Sequence, residues 1–275
     1  MKRILITGEH SFIGTHLAAY LARFSEQYTV ETLSLHGHSP DEYDFHGADA
    51  VVHVAAIVHR KDTKKLQPLY DAVNRDLAIA VAEKAKREGV RQFVFMSSIG
   101  VFGLLEGTIT DENVPCPRTR YDCSKLAAER GIAPLADERF RVTILRPPVT
   151  YGAGAKGNPA KLARLAKRLW VCPDFKNRRC MVSVDTLCEA IGGLLEEPRS
   201  GIFYPQEPAP IATCELLAQE MLRQGRKPRK TKLFNPAIRA FRFCTQTGKK
   251  AFGDLVYEGS FERALPVSGE EEAKH

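Results

Sequence analysis

The first two dozen residues constrain this chain most. Residues 3–7 form a short aliphatic run that reads as a strand, and it passes directly into Thr7-Gly-Glu-His-Ser-Phe-Ile-Gly14. Helical periodicity then runs over 13–24. A strand feeding a glycine turn and then a helix aims several backbone N–H groups and a helix N-terminus at one point, which suits a pyrophosphate. In this reading Gly8 turns the chain, Ser11, Phe12 and Ile13 line the loop, and Gly14 lets the helix pack closely. A glycine pair after a strand is a weak signal by itself, and it needs support from the rest of the chain.

That support begins with a repeating alternation. Short β-branched runs predict strands near 3–7, 29–34, 50–54, 92–97 and 141–146. Helix patterns lie between them, including 74–89, ending at a glycine cap, and 121–132. Strands apolar on both faces and separated by helices predict an α/β fold, a doubly wound parallel sheet of Rossmann type. Beyond Gly152 the pattern becomes irregular and basic, with helices expected over 158–169, 185–195 and 213–224. The organisation expected is a dinucleotide-binding core over 1–155 and a smaller C-terminal substrate lobe over 156–266. Within that lobe 180–200 returns to the core, and 267–275 is a frayed polar tail. At 275 residues, 44% hydrophobic and 27% charged, the chain can bury one large core with such a lobe attached.

Tyr121 and Lys125 stand four apart in Tyr-Asp-Cys-Ser-Lys, 23 residues after Ser98. On a helix that spacing places both on one face, where the ammonium is expected to lower the phenol pKa and make Tyr121 an acid or base near neutral pH.

Together these residues resemble the extended short-chain dehydrogenase/reductases, the NAD-dependent epimerase/dehydratase family that works on sugar nucleotides. Asp49-Ala-Val-Val-His-Val-Ala-Ala56 is similar to the strand and loop that lie against the cofactor, which assigns Ala55 and Ala56 to it. Asn74 matches the structural asparagine of the following helix and is grouped with the cofactor site. Phe93-Val-Phe-Met-Ser-Ser-Ile-Gly-Val-Phe-Gly103 matches the segment carrying the active-site serine and points to Ser98. Leu145-Arg-Pro-Pro-Val-Thr-Tyr-Gly is similar to the segment leading into the substrate region. Arg179 matches an arginine that grips a nucleotide-sugar diphosphate. Lys156-Gly-Asn-Pro-Ala-Lys resembles a bacterial surface-polysaccharide subgroup and makes Asn158 a substrate-binding candidate.

The resemblance implies NAD or NADP as cofactor, with Lys125 also holding the nicotinamide ribose. It implies a UDP-linked sugar substrate and a homodimer. The activity expected is C4 epimerisation of a UDP-hexose through a 4-keto intermediate. The alternatives are a UDP-4-keto-sugar reductase or a catalytically inactive nucleotide-binding protein. Departures from the pattern are Ser11 in place of the middle glycine, Glu9 beside the phosphates, and Ser34 where an acidic residue usually binds the NAD ribose. With His36 or His38 near, Ser34 leaves NADP open.

Other features read plainly. Seven scattered cysteines without paired spacing predict reduced thiols and no metal site. No apolar run spans a bilayer and the N-terminus has no signal-peptide pattern, so a cytoplasmic protein is expected. His53 lies in an apolar run and reads as a core histidine. The net charge is +7, and 223–232 holds six Lys or Arg in ten residues. Without interleaved aromatics that run predicts a solvated face and no nucleic-acid partner. The apolar and basic stretch 233–243 allows contact with an anionic membrane, but firm membrane association is not expected.

Overall fold

A computed structural model describes residues 1–58, 63–155 and 157–265. The expected tail at 267–275, and Lys156, lie outside the described residues. The chain builds a seven-stranded sheet from β1 (Lys2–Thr7), β2 (Tyr28–Leu33), β3 (Ala50–His53), β4 (Gln92–Met96), β5 (Arg141–Leu145), β6 (Gly201–Phe203) and β7 (Glu262–Arg263), in the order β7-β6-β5-β4-β3-β1-β2. The first six strands run parallel, and β7 closes the edge antiparallel to β6. The chain goes from β1 outward to β2, then returns to lay β3 on the other side of β1. The strand order therefore reverses at β1 and β3, and a crevice opens beyond their C-terminal ends.

The alternation along each strand explains why the runs are apolar throughout. Leu5, Val51, Phe93, Phe95, Val142 and Ile144 point to one face, and Ile4, Ile6, Val52, Val94 and Leu145 to the other. The major helices are α1 (Phe12–Leu21), α2 (Leu77–Arg87), α3 (Arg120–Ile132), α4 (Asn158–Arg168), α5 (Val184–Glu196), α6 (Thr213–Arg223) and α7 (Asn235–Cys244). Helices α2 and α3 cover the first face through Val81, Ala85, Leu126 and Ile132, while α1 and α5 cover the second through Leu17, Leu21, Leu187 and Ile191.

A smaller body packs α4 against α6 around Ala166, Cys172, Leu217 and Met221. Short parallel strands at Cys172–Pro173 and Lys230–Thr231 extend it, and Phe175, Cys214 and Ile238 form a second small cluster under α7. All seven cysteines are free, four of them buried. Burial pushes the Cys180 and Cys214 thiols up to about 11 and Cys188 to about 12, so these three are inert packing groups. Among the described residues no helix is long and apolar enough to cross a membrane.

One expected element differs. The helix anticipated over 74–89 is preceded by an α-turn at Gln67–Tyr70 and a π-helical stretch at Asp71–Asp76 before α2 begins. Pro68 suits the start of that first turn. The wider π turn accommodates a fully buried Asn74, a distortion often found at functional sites. At the other end Gly89, at φ +81°, stops the helix as its position predicts.

Phe93 is fully buried and its ring lies near those of His53 and Phe140. Phe93→Ala is expected to cost about 3–5 kcal/mol, read as a lower denaturant midpoint with an unchanged slope.

Candidate active site

The crevice is built from the loops that follow β1, β3 and β4. After β1, Gly8 adopts φ +87°, and a Cβ there would stand 3.0 Å from both N and Cα of Ala55. Only glycine lets the first loop approach the loop after β3 so closely. Gly14 is equally confined, since its Cβ would meet Gly8 O and Ser11 Oγ at 2.7 Å. Ser11 takes the N-cap of α1, its hydroxyl accepting from the Gly14 N–H at 2.9 Å. The serine in place of the middle glycine is thus absorbed as a helix cap. Phe12 and Ile13 open the helix, whose first turn carries no acidic residue. The Glu9 carboxylate lies 3.8 Å from the exposed His10 ring. Two tight glycines and a helix N-terminus free of acidic side chains fit a pyrophosphate.

Ser34 follows directly on β2, whose Leu33 is in register with Thr7, and its carbonyl accepts from Tyr43 Oη at 2.5 Å. His36 is exposed, and His38 is tied to Glu42 at 2.7 Å. The residue that follows β2 is thus a serine and not an acidic one.

At the end of β4, Ser98 is extended and caps the 3-10 turn Ile99–Phe102, accepting from Gly100 N–H at 3.0 Å. Helix α3 starts beside it, capped by Thr119. A Cβ on Gly100 would collide with Asp122 Oδ1, so this glycine lets the Tyr121 end of α3 approach the Ser98 loop. Lys125 is almost wholly buried; its Nζ donates to Met96 O at 2.7 Å and lies 4.7 Å over the Phe95 ring. Ser98, Tyr121 and Lys125 therefore gather around the C-terminal end of β4.

The electrostatics correct one expectation. The Tyr121 phenol is raised rather than lowered: desolvation by burial leads, and the neighbouring Asp122 carboxylate and Tyr70 phenol add to it. The Lys125 side chain donates instead to the Met96 carbonyl. Burial drives Lys125 itself down to about 7, opposed by Glu129 one turn along the helix.

Asn74 also departs from its grouping with cofactor contacts. Its side-chain oxygen accepts from Ile57 N–H at 2.8 Å, while its Nδ2 donates to Ile57 O and Ser124 Oγ, both at 3.1 Å. It holds the loop after β3 to α3 from beneath. His53 is a core residue: Nδ1 shares a hydrogen bond with Thr7 Oγ1 at 2.9 Å, the ring lies between Phe93 and Phe95, and burial drives it down to about 3.

Sequence reading misses the ion pair under the site. Arg146 meets Glu129 at 2.5 Å with both side chains 4% exposed, and also donates to Tyr204 Oη at 3.1 Å. Ser97 donates to the same Glu129 carboxylate, which makes Ser97 structural. The signal was present, since Glu129 repeats the four-residue spacing after Lys125 and Arg146 immediately follows a strand.

Of the two residues expected to bind substrate, Asn158 is the exposed first residue of α4, after Gly157 in the cap position. Arg179 is 6% exposed, its Nη1 donating to Gly253 O at 2.8 Å and Lys249 O at 3.4 Å. Among the described residues its Nε and Nη2 have no hydrogen-bond partner. Among the described residues neither hydrogen-bonds to Ser98, Tyr121 or Lys125. Asp44, His46 and Glu88 approach one another at the surface, but Glu88 is engaged by Lys84 and the Phe45 N–H.

The model of the NAD dependent epimerase/dehydratase family matches residues 4–203. A UDP-glucose 4-epimerase of Vibrio cholerae is 32% identical over 248 residues, covering 79% of this chain and 74% of that protein. Among solved structures, MoeE5 in complex with UDP-glucose and NAD superposes with a TM-score of 0.69 at 18% identity, covering 98% of this chain and 95% of its own. The dTDP-4-dehydrorhamnose reductase of Bacillus anthracis in complex with NADP gives 0.71 at 19%, covering 94% and 92%.

Two outcomes follow from the buried charges. The folded pKa of Lys125 lies below its unfolded value of 10.5, so between about 7 and that value the unfolded chain binds the extra proton and stability rises with pH. Lys125→Met is expected to flatten this rise, seen by comparing melts of both proteins across the window. Glu129→Gln leaves Arg146 buried without its counter-charge and is expected to cost about 3–5 kcal/mol, whereas Glu129→Leu with Arg146→Met costs much less in the same denaturant titration.

Proposed function

This chain belongs to the NAD-dependent epimerase/dehydratase family, and from that premise we propose that it is a sugar-nucleotide epimerase acting at C4 of a UDP-hexose. The observation that carries the reading is the gathering of Ser98, Tyr121 and Lys125 at the end of β4, beside the crevice where the strand order reverses. The similarity to a UDP-glucose 4-epimerase supports the choice of substrate.

The residues divide the work as follows. Gly8, the α1 N-terminus with Phe12 and Ile13, and the Ala55-Ala56 loop hold the pyrophosphate of the cofactor. A nicotinamide nucleotide bound there supplies acceptance and return of hydride at the sugar carbon. Ser98 hydrogen-bonds the C4 oxygen and fixes its position. Tyr121 takes the proton of that hydroxyl as the carbon becomes a ketone, and gives it back after the sugar presents its other face. With its phenol raised in the free protein, Tyr121 needs added positive charge before it acts as a base, and the oxidised nicotinamide ring would provide it. Lys125 holds the ribose and the end of β4. The unpartnered Nε and Nη2 of Arg179 suit a substrate diphosphate, and Asn158 lies on the same lobe.

A second reading rests on Ser34. With Ser34 in place of an acidic residue after β2, one charge clash with a 2′-phosphate is removed, which favours NADPH and a 4-keto-sugar reductase.

The test is to denature the purified protein, identify any released nucleotide by mass spectrometry, and supply UDP-glucose with no added cofactor. Co-purified NAD and interconversion with UDP-galactose are expected. An empty protein that turns over only a 4-keto sugar with added NADPH establishes the reductase instead. Tyr121→Phe is expected to lower turnover on the order of 10²–10⁴-fold while nucleotide is retained; undiminished turnover sinks the mechanism.

A further inference from the structure

We propose that the smaller lobe carries a peripheral membrane-binding face that docks on an anionic lipid surface. The charge of this chain is unevenly placed. Residues 157–173 and 221–253 together contain 14 of the 40 Lys and Arg and none of the 33 Asp and Glu, leaving 26 against 33 elsewhere. An otherwise acidic molecule thus has one strongly basic part. Apart from Met1, the same two segments hold the most exposed large apolar side chains among the described residues: Trp170 at 88%, Phe243 at 86% and Leu233 at 79%.

These segments form one body. Arg226 donates to the carbonyls of Ala166 and Leu169, just before Trp170. Cys172 pairs with Lys230, two residues from Lys232. Asn235, opening α7, donates to Asp174 O at 3.1 Å. On α7, Ile238 faces the interior, whereas Arg239 and Phe243, four apart, share the exposed side. Some cations here are neutralised: Arg223 by Glu220, and Arg242 and Lys249 by Glu106. Among the described residues Arg168, Lys227, Lys230, Lys232 and Arg239 form no ion pair.

Exposed Trp, Phe and Leu set among unpaired Lys and Arg make up the composition of an interfacial surface. The rings and aliphatic chains enter the headgroup region, and the cations meet lipid phosphates. A second copy of this chain is a poor occupant, because two such faces repel. Nucleic acid accounts for the cations but not for the exposed leucines.

Trp170 is the single tryptophan of the chain, so its fluorescence reports the contact directly. The full chain is mixed with phosphatidylcholine vesicles with or without phosphatidylglycerol, then followed by flotation and tryptophan emission. Flotation only with the anionic vesicles, weakening with salt, together with a blue shift of the emission, is expected. Lys230→Ala with Lys232→Ala is expected to weaken binding on the order of tenfold, and Phe243→Ser to weaken it in any salt. These positions are exposed, and circular dichroism checks that each variant is folded. Protein left with the aqueous fraction overturns the proposal, as it would if the face served an acidic protein or an RNA. Flotation with unchanged emission overturns insertion of the apolar side chains. Neither readout depends on substrate or cofactor, so the outcome stands apart from the proposed chemistry.

Discussion

The site depends on the buried amide of Asn74. One side chain engages both backbone groups of Ile57 and the hydroxyl of Ser124, tying the loop after β3 to the helix that carries Tyr121 and Lys125. The two halves of the crevice come from distant parts of the chain, and nothing in their own secondary structure sets the gap between them. A buried polar group left without partners is costly, so the clamp has essentially one stable arrangement. The π stretch over Asp71–Asp76 is the local distortion that turns the amide inward.

Beneath this clamp lies a second polar layer. Glu129, one turn beyond Lys125 on α3, receives Arg146 and Ser97, and Arg146 continues to Tyr204, which stacks on Tyr257 at 4.3 Å. A buried ion pair contributes little net stability against an apolar replacement, yet it is intolerant of displacement. Its place under Lys125 means that α3 is held in register with β4 and β5 by charge geometry as well as by packing. The lysine above is fixed in position by its bond to the Met96 carbonyl, while burial drives its pKa down to about 7.

Much of this architecture was legible in the sequence because period and punctuation are local. The strand at Lys2–Thr7, the turn at Gly8 and the helix cap at Gly89 follow from residue type alone. Tyr121 and Lys125 were singled out by spacing, which a helix converts into proximity, and Ser98 by the family resemblance of its segment. What spacing could not give was direction. Lys125 reaches the Met96 carbonyl instead of acting on the phenol, a fact set by the end of β4 and the Phe95 ring. The Glu129–Arg146 pair escaped for the same reason, since its members meet only when α3 packs on the sheet. Asn74 was recognisable, but that its amide is saturated by protein depends on Ile57 and Ser124, 17 and 50 residues away.

The antiparallel strand β7 carries a consequence for how the chain becomes itself. The smaller lobe leaves the sheet after β5, re-enters through β6, departs again and returns only at Glu262–Arg263. It is looped through the core at several crossings rather than appended to it. The sheet edge beside β6 is therefore completed only once residues 262–263 are available, late in synthesis.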